Sequence, residues 1–208
     1  MPHMAAATAA TCLRTAIYRL TAVCQEITDT AKMTDFRQLV QLRRSHRTFT
    51  PEEIDGDQLE LILRAALMSP TSKGRREWQF VAIDDKPTLE KLADCKEHGA
   101  SFIKEAPVAI AVCGMPAEDD CWIEDGSIAA ISMQYQAEEL GLGSCWIQIR
   151  SRGMADGTPA ASVVRGILAL PDDVDVLCII AIGHKASARK PQDETGLKWE
   201  NVHINRYR

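Results

Sequence analysis

Residues 125–149 read DGSIAAISMQYQAEELGLGSCWIQI, and the change of period within them decides the fold. Ile128, Ala129, Ile131, Ser132, Met133, Tyr135 and Ala137 surround a helix on most sides, which predicts a central, largely buried helix. Gly141 supplies its terminator. The next apolar run, 144–149 (SCWIQI), is too short for a second helix and reads as a strand. Working outward, 108–113 (VAIAVC) and 175–182 (DVLCIIAI) are uninterrupted apolar runs, as in strands covered on both faces. A helix around 159–168 lies between the last two strands. Upstream, 79–84 (QFVAID) is a short strand and 86–98 a helix. Two more helices come first. One covers 34–44, with Thr34 as cap and Phe36, Leu39 and Val40 on one stripe. The other opens at Thr50-Pro51-Glu52-Glu53, carries Leu59, Ile62, Leu63, Ala66 and Leu67 at helical spacing, and stops at Ser69-Pro70. From Ala186 the chain is polar and has no core of its own. The expected architecture is one α+β domain over residues 33–208, a sandwich of helices and a mixed sheet.

The composition fits. Of 208 residues, 46% are apolar and 25% charged, which excludes a disordered, collagen-like or low-complexity chain. A net charge of −5 with 5% aromatics argues against a general nucleic-acid binder. No apolar run reaches the ~18 residues of a membrane span. The seven cysteines are odd in number and none are spaced C-x-x-C, so neither a disulfide framework nor a zinc knuckle is expected. Cys113, Cys145 and Cys178 sit in apolar runs and read as buried thiols of a protein from reducing cytoplasm. The five histidines show no ligand spacing, so no metal site is expected. Residues 1–32 stand apart, Ala- and Thr-rich with Arg14 and Arg19 and no acid before Glu26. They read as a dispensable or targeting extension, with Met33 as a second candidate start. The alternative is an amphipathic helix on Leu13, Ile17, Leu20 and Cys24.

Three segments carry chemistry. In Arg43-Arg44-Ser45-His46-Arg47, an extended chain turns side chains 43, 45 and 47 to one side. Two guanidiniums flanking a hydroxyl make a cup for a phosphate or another planar oxyanion. Loop 69–78 (SPTSKGRREW) offers hydroxyls, backbone N–H groups and cations between a helix and a strand. The tail adds Lys185, Arg189 and Lys190. Each has a plainer reading: a solvated helix end, an ordinary loop and a solubilising tail. Trp122 and Trp146 read as core. Gly141-Leu142-Gly143 follows a helix and precedes a strand, the reverse of a dinucleotide fingerprint.

Taken in order and spacing, these pieces resemble the FMN-dependent nitroreductase family, in its short bacterial branch. The likeness covers roughly residues 34–208. It rests on RRSHRTF at 43–49, SPTSKGRREW at 69–78, WIEDGSIA at 122–129, GLGSCWI at 141–147, and the IAIGHK end of the last strand, with KWENVH near the C-terminus. The resemblance implies an intertwined homodimer whose long helices pack together and whose tails wrap the neighbour, with FMN at the interface. By position, Arg43, Arg44 and Ser45 would hold the phosphate with Lys185, Arg189 or Lys190. Arg47 would face the pyrimidine edge as the one catalytic cation. Pro70, Thr71, Ser72 and Gly74 would come from the other subunit, with Lys73 or Arg75 in place of a missing Asn. Ile147 and Gln148 would lie beside the reactive nitrogen through backbone contacts. The implied activity is ping-pong transfer from NAD(P)H to nitroaromatic or quinone-like small molecules, with no acid or base residue nominated. An ene reductase or dehalogenase, or a non-catalytic flavin-binding protein, is the alternative on the same fold.

Overall fold

The computed structural model describes residues 35–207. The extension expected over 1–32, Met33 and the Thr34 cap lie outside them. Four strands form one sheet in the order β1-β2-β4-β3: β1 Gln79–Ile83, β2 Val108–Gly114, β3 Leu142–Gln148 and β4 Asp175–His184. The two apolar runs 108–113 and 175–182 become the two inner strands, as their lack of alternation requires. The described helices are α1 Phe36–Leu42, α2 Gly56–Leu67, α3 Lys86–Ala93, α4 Trp122–Glu139 and α5 Ala160–Leu168.

Strand alternation sorts the core into two layers. Ala109, Ala111, Cys113, Ile179 and Ala181 face one side, where α3 and α5 contribute Leu89, Leu92, Ala160 and Val164. Val108, Ile110, Val112, Ile180 and Ile182 face the other, against Leu59, Ile62 and Ala66 of α2 and Ala129, Met133 and Ala137 of α4. The α4 backbone lies close to the sheet at Gly126, where an added Cβ would meet Leu177 Cδ2 at 2.9 Å.

The helix-and-sheet sandwich is as expected, with four corrections. First, every pairing between named strands is antiparallel, so the sheet is not mixed; the parallel element is a single bridge, Ser45 to Ser144. Second, α2 starts at Gly56, not at Pro51. Asp55 is its cap, and a reciprocal capping box with Gln58 satisfies its first donors, which the acids after Pro51 cannot do. Third, α3 ends at Ala93, because Asp94 and Cys95 close short i−3 turns. Fourth, Asp35 is the N-cap of α1, its side chain accepting the Arg37 N–H. As expected, α4 is largely buried; of its residues only Glu124, Ile128 and Glu139 are exposed.

Candidate functional site

Segment 43–50 meets the outer edge of β3 at Ser144 and then crosses to the end of β4. Arg43 ends α1, its N–H bonded to the Leu39 carbonyl. The His46 N–H then donates to the Ser144 carbonyl at 2.9 Å. Further on, the Thr50 N–H reaches the His184 carbonyl at 3.0 Å. A bond from His46 to Ser144 means that Ser144, Trp146 and Gln148 turn their backbone groups to this edge, while Gly143, Cys145 and Ile147 turn theirs to β4. Three outward carbonyls are taken: Ser144 by His46, Trp146 by the Cys145 thiol at 3.7 Å, and Gln148 by the Lys96 ammonium at 2.8 Å. Among the described residues, the Trp146 and Gln148 N–H groups have no acceptor.

Gly143 is required here, since a Cβ would sit 2.9 Å from His46 Cβ and 3.0 Å from Lys185 Cγ. His46 is buried, and its imidazole is held below its usual value by burial first and then by the Lys185 charge. Lys185 is bonded to Glu138 at 2.7 Å, with only 7% of the Glu138 side chain exposed.

The expected cup assembles around Cys145. Burial pushes that thiol up; Arg47, a hydrogen bond from Ser45, Arg189 and Arg43 act against it in that order. Arg43, Ser45, Arg47 and Arg189 therefore share one neighbourhood. Arg47 is exposed and rests over the Phe102 ring, 6.0 Å from its centre. Two expected partners are committed elsewhere: Lys185 to Glu138, and Arg44 to the Gln192 side chain at 3.2 Å. Lys190 is exposed. Ile147 is buried in β3. The Gln148 side chain is engaged locally, accepting from Trp146 Nε1 and donating to the Arg150 carbonyl.

Loop 70–75 is not beside this cup. It docks on the N-terminal turn of α4, where the Ser72 N–H donates to both Asp125 oxygens at 3.0 Å. Thr71 Oγ1 accepts the Arg76 N–H, and Lys73 pairs with Asp120 at 3.5 Å. Lys73 and Gly74 have φ of 55° and 67°, so the loop turns sharply there and leaves Pro70 and Arg75 exposed. Asp125 and Glu138 lie at opposite ends of α4, thirteen residues or roughly 20 Å apart. Within one chain the two halves of the expected site do not meet.

Lys96 went unnoticed in the sequence. Its partner is a backbone carbonyl 52 positions away, which no residue type announces. The Asp119-Asp125 carboxyl pair under Ser72 was missed for the same reason. Asp119, Asp120 and Cys121 bring three ligand-type atoms within 4.8 Å, but Asp119 already accepts the Cys121 N–H. Among the described residues no helix is long and apolar enough to cross a membrane.

Known proteins share this fold. The profile of the Nitroreductase family matches residues 40–97 and 94–184. A solved structure, an FMN-dependent nitroreductase from Clostridium difficile R20291, superposes with a TM-score of 0.81 at 41% identity, covering 82% of this chain and 99% of that one. An Archaeoglobus fulgidus protein, provisionally named NADH dehydrogenase/NAD(P)H nitroreductase, is 26% identical over 78% of this chain and 88% of its own length. The FMN reductase [NAD(P)H] of Bacillus subtilis is 29% identical over 72% of this chain and 66% of its own. The matched residues contain the Arg43–Arg47 cup, loop 70–75 and the outer edge of β3, so the chain belongs to the Nitroreductase family.

Proposed function

We propose that this chain is an FMN-dependent oxidoreductase that works as a homodimer, with nitroaromatic or quinone-like acceptors. The reaction class follows from the family: an NAD(P)H-dependent flavin oxidoreductase. The observation that carries the rest is the gathering of Arg43, Ser45, Arg47 and Arg189 beside a strand edge with spare N–H donors. This donor set fits FMN. Guanidiniums and a hydroxyl suit a phosphate dianion, and backbone N–H groups suit the polar edge of a planar ring. When bound, FMN supplies the hydride and electron transfer, taking from NAD(P)H and giving to the acceptor in ping-pong order.

The residues of the chain bind and orient. Arg43, Ser45 and Arg189 hold the phosphate. Lys185 supports them indirectly, by fixing the end of β4 to α4 through Glu138. Arg47 sets a positive charge against the pyrimidine edge, where negative charge builds on reduction. Gln148 and Ile147 contribute backbone, since the Gln148 side chain is already bonded. Pro70, Thr71, Ser72, Lys73, Gly74 and Arg75 belong to the cofactor site of the other subunit. The 20 Å between the two halves supports this, because two antiparallel copies of α4 bring each loop to the opposite cup. Unpartnered apolar surface also supports a dimer: Phe36 is 64% exposed beside α4, and tail residues Trp199 and Tyr207 are 71% and 87% exposed. The five described cysteines are free thiols, four of them buried, in keeping with reducing cytoplasm.

The test is the visible spectrum of the purified protein before and after anaerobic NADPH or NADH, with the mass in solution. The expected result is a yellow dimer of about twice 23.0 kDa that bleaches with nicotinamide and recovers with a quinone. A yellow protein that neither nicotinamide bleaches overturns the reductase reading. A chain that stays colourless after soaking in FMN overturns the cofactor as well.

A further inference from the structure

The geometry points to Lys96 as a positioning residue of the reductase reaction: its ammonium pins the Gln148 carbonyl and fixes a positive charge at the outer edge of β3. This rests on the proposed function, because that edge is one wall of the cofactor site.

Three observations carry it. First, Lys96 is half-buried, at the start of the turn that follows α3, and its Nζ donates to the Gln148 carbonyl at 2.8 Å. A solvent-facing lysine gains little from a neutral carbonyl, whereas one held out of water makes a charge-assisted bond. The turn itself is anchored, since the Glu97 N–H donates to the Gly153 carbonyl. Second, the bond falls on the outward row of β3, on the same residue whose N–H is left without an acceptor among the described residues. A cation on that carbonyl therefore orders the strand end that presents the free N–H. Third, Lys96 lies near Cys145, and so do Arg47, Arg43 and Arg189. Lys96 thus approaches the same thiol as the cup. Burial lowers the Lys96 ammonium from its usual value, and nearby Arg152 lowers it further. Among the described residues Lys96 has no carboxylate partner. Its charge is therefore available to whatever occupies the edge. A fixed cation favours the reduced, more negative cofactor over the oxidised one.

The experiment uses the full-length protein loaded with FMN. Three variants separate charge from hydrogen bond: Lys96→Met removes both, Lys96→Gln keeps a donor without charge, and Lys96→Arg keeps both. The readouts are the two-electron midpoint potential by dye equilibration and amide exchange of residues 146–150. Lys96→Met should bind the reduced cofactor about tenfold more weakly relative to the oxidised one, a midpoint about 30 mV more negative, and exchange faster at 146–150. Lys96→Gln should shift the midpoint but leave exchange near wild type. Lys96→Arg should restore both, and Lys96→Gln carries the test if the Met variant does not fold. A yellow wild type whose potential and exchange ignore Lys96→Met and Lys96→Gln overturns this assignment alone. A wild type that takes up no FMN overturns the functional reading and this assignment together.

Discussion

The two ends of α4 hold their neighbouring segments by opposite means. At the C-terminal end a side-chain pair does it. Glu138 sits where the helix dipole disfavours an acid, and Lys185 offsets it at 2.7 Å in a setting nearly closed to water. At the N-terminal end a carboxylate takes a backbone N–H. Asp125 sits where the dipole favours an acid and receives Ser72 with both oxygens. The first arrangement commits Lys185 to the scaffold, so the proposed phosphate site relies on Arg43 and Arg189 instead. The second leaves the loop side chains free and ties down only its backbone. The same helix is therefore fastened by charge at one end and by a backbone hydrogen bond at the other, and the proposed dimer would join these unlike ends.

The sharpest way to break this comparison is to remove the buried charge pair. Lys185→Met leaves Glu138 without its cation, and we expect a loss of about 3 kcal/mol of stability. That corresponds to roughly 6–12 °C in Tm for a chain of this size. Adding Glu138→Gln should recover most of it. Thermal melts of the FMN-free single and double variants decide the matter. An unchanged Tm in Lys185→Met, with FMN affinity lost instead, would return Lys185 to the phosphate and dissolve the division of labour.

Next in size is the complementary experiment on the cup. Arg47 and Arg189 are exposed and bear no salt bridge to a described carboxylate, so truncation should leave the FMN-free melting temperature nearly unmoved. Each should cost about 1.5–3 kcal/mol in FMN binding, roughly 10- to 150-fold in Kd. Arg47→Ala should also slow reduction by NAD(P)H, whereas Arg189→Ala should not once FMN is saturating. Titration by flavin fluorescence and stopped-flow reduction read the two effects. Equal behaviour of the two variants would mean that Arg47 only binds.

How much of this was legible in the sequence depended on the range of the interaction. Apolar period is local, and it placed all four strands and the long helix to within a few residues. The Arg43–Arg47 cup was legible because extended backbone sorts neighbouring side chains without knowledge of the fold. The start of α2 was misjudged because Pro51-Glu52-Glu53 and Asp55-x-x-Gln58 both look like helix entries; Gln58 decides between them by bonding back to the Asp55 N–H. Lys185, Lys96 and Asp125 were opaque for a different reason. Their partners are 47, 52 and 53 positions away, and two of the three bonds go to backbone atoms, which residue identity does not mark. The proposal that a site split across α4 is completed by a second copy comes from resemblance, not from residue pattern. The intrachain separation gives the physical reason.

The smallest effect tests the backbone latch, and its sign can be worked out. Burial raises the Asp125 carboxyl above its usual value, the Ser72 N–H lowers it, and hydrogen bonding and charge from Asp119, with charge from Glu124, raise it again. A group raised on folding contributes stability below its unfolded value and loses that contribution as pH rises through the folded one. The ionised form of this carboxyl is therefore a cost that the Ser72 hydrogen bonds partly offset. Asp125→Asn is neutral at every pH and keeps one acceptor for Ser72, so its stability at pH 7 should lie within about 0.5 kcal/mol of wild type. Asp125→Ala removes the acceptor and should loosen loop 71–76 by about 1 kcal/mol, roughly a fivefold larger open population. Trypsin reads this directly, because Lys73, Arg75 and Arg76 all lie in the loop. Cleavage there should rise about fivefold in Asp125→Ala and stay near wild type in Asp125→Asn. If, as proposed, each loop serves the other subunit's cup, bound FMN should protect it. Protection in wild type that is weakened in Asp125→Ala places the latch in the site; cleavage indifferent to FMN would leave Asp125 a fastening for the loop and nothing more.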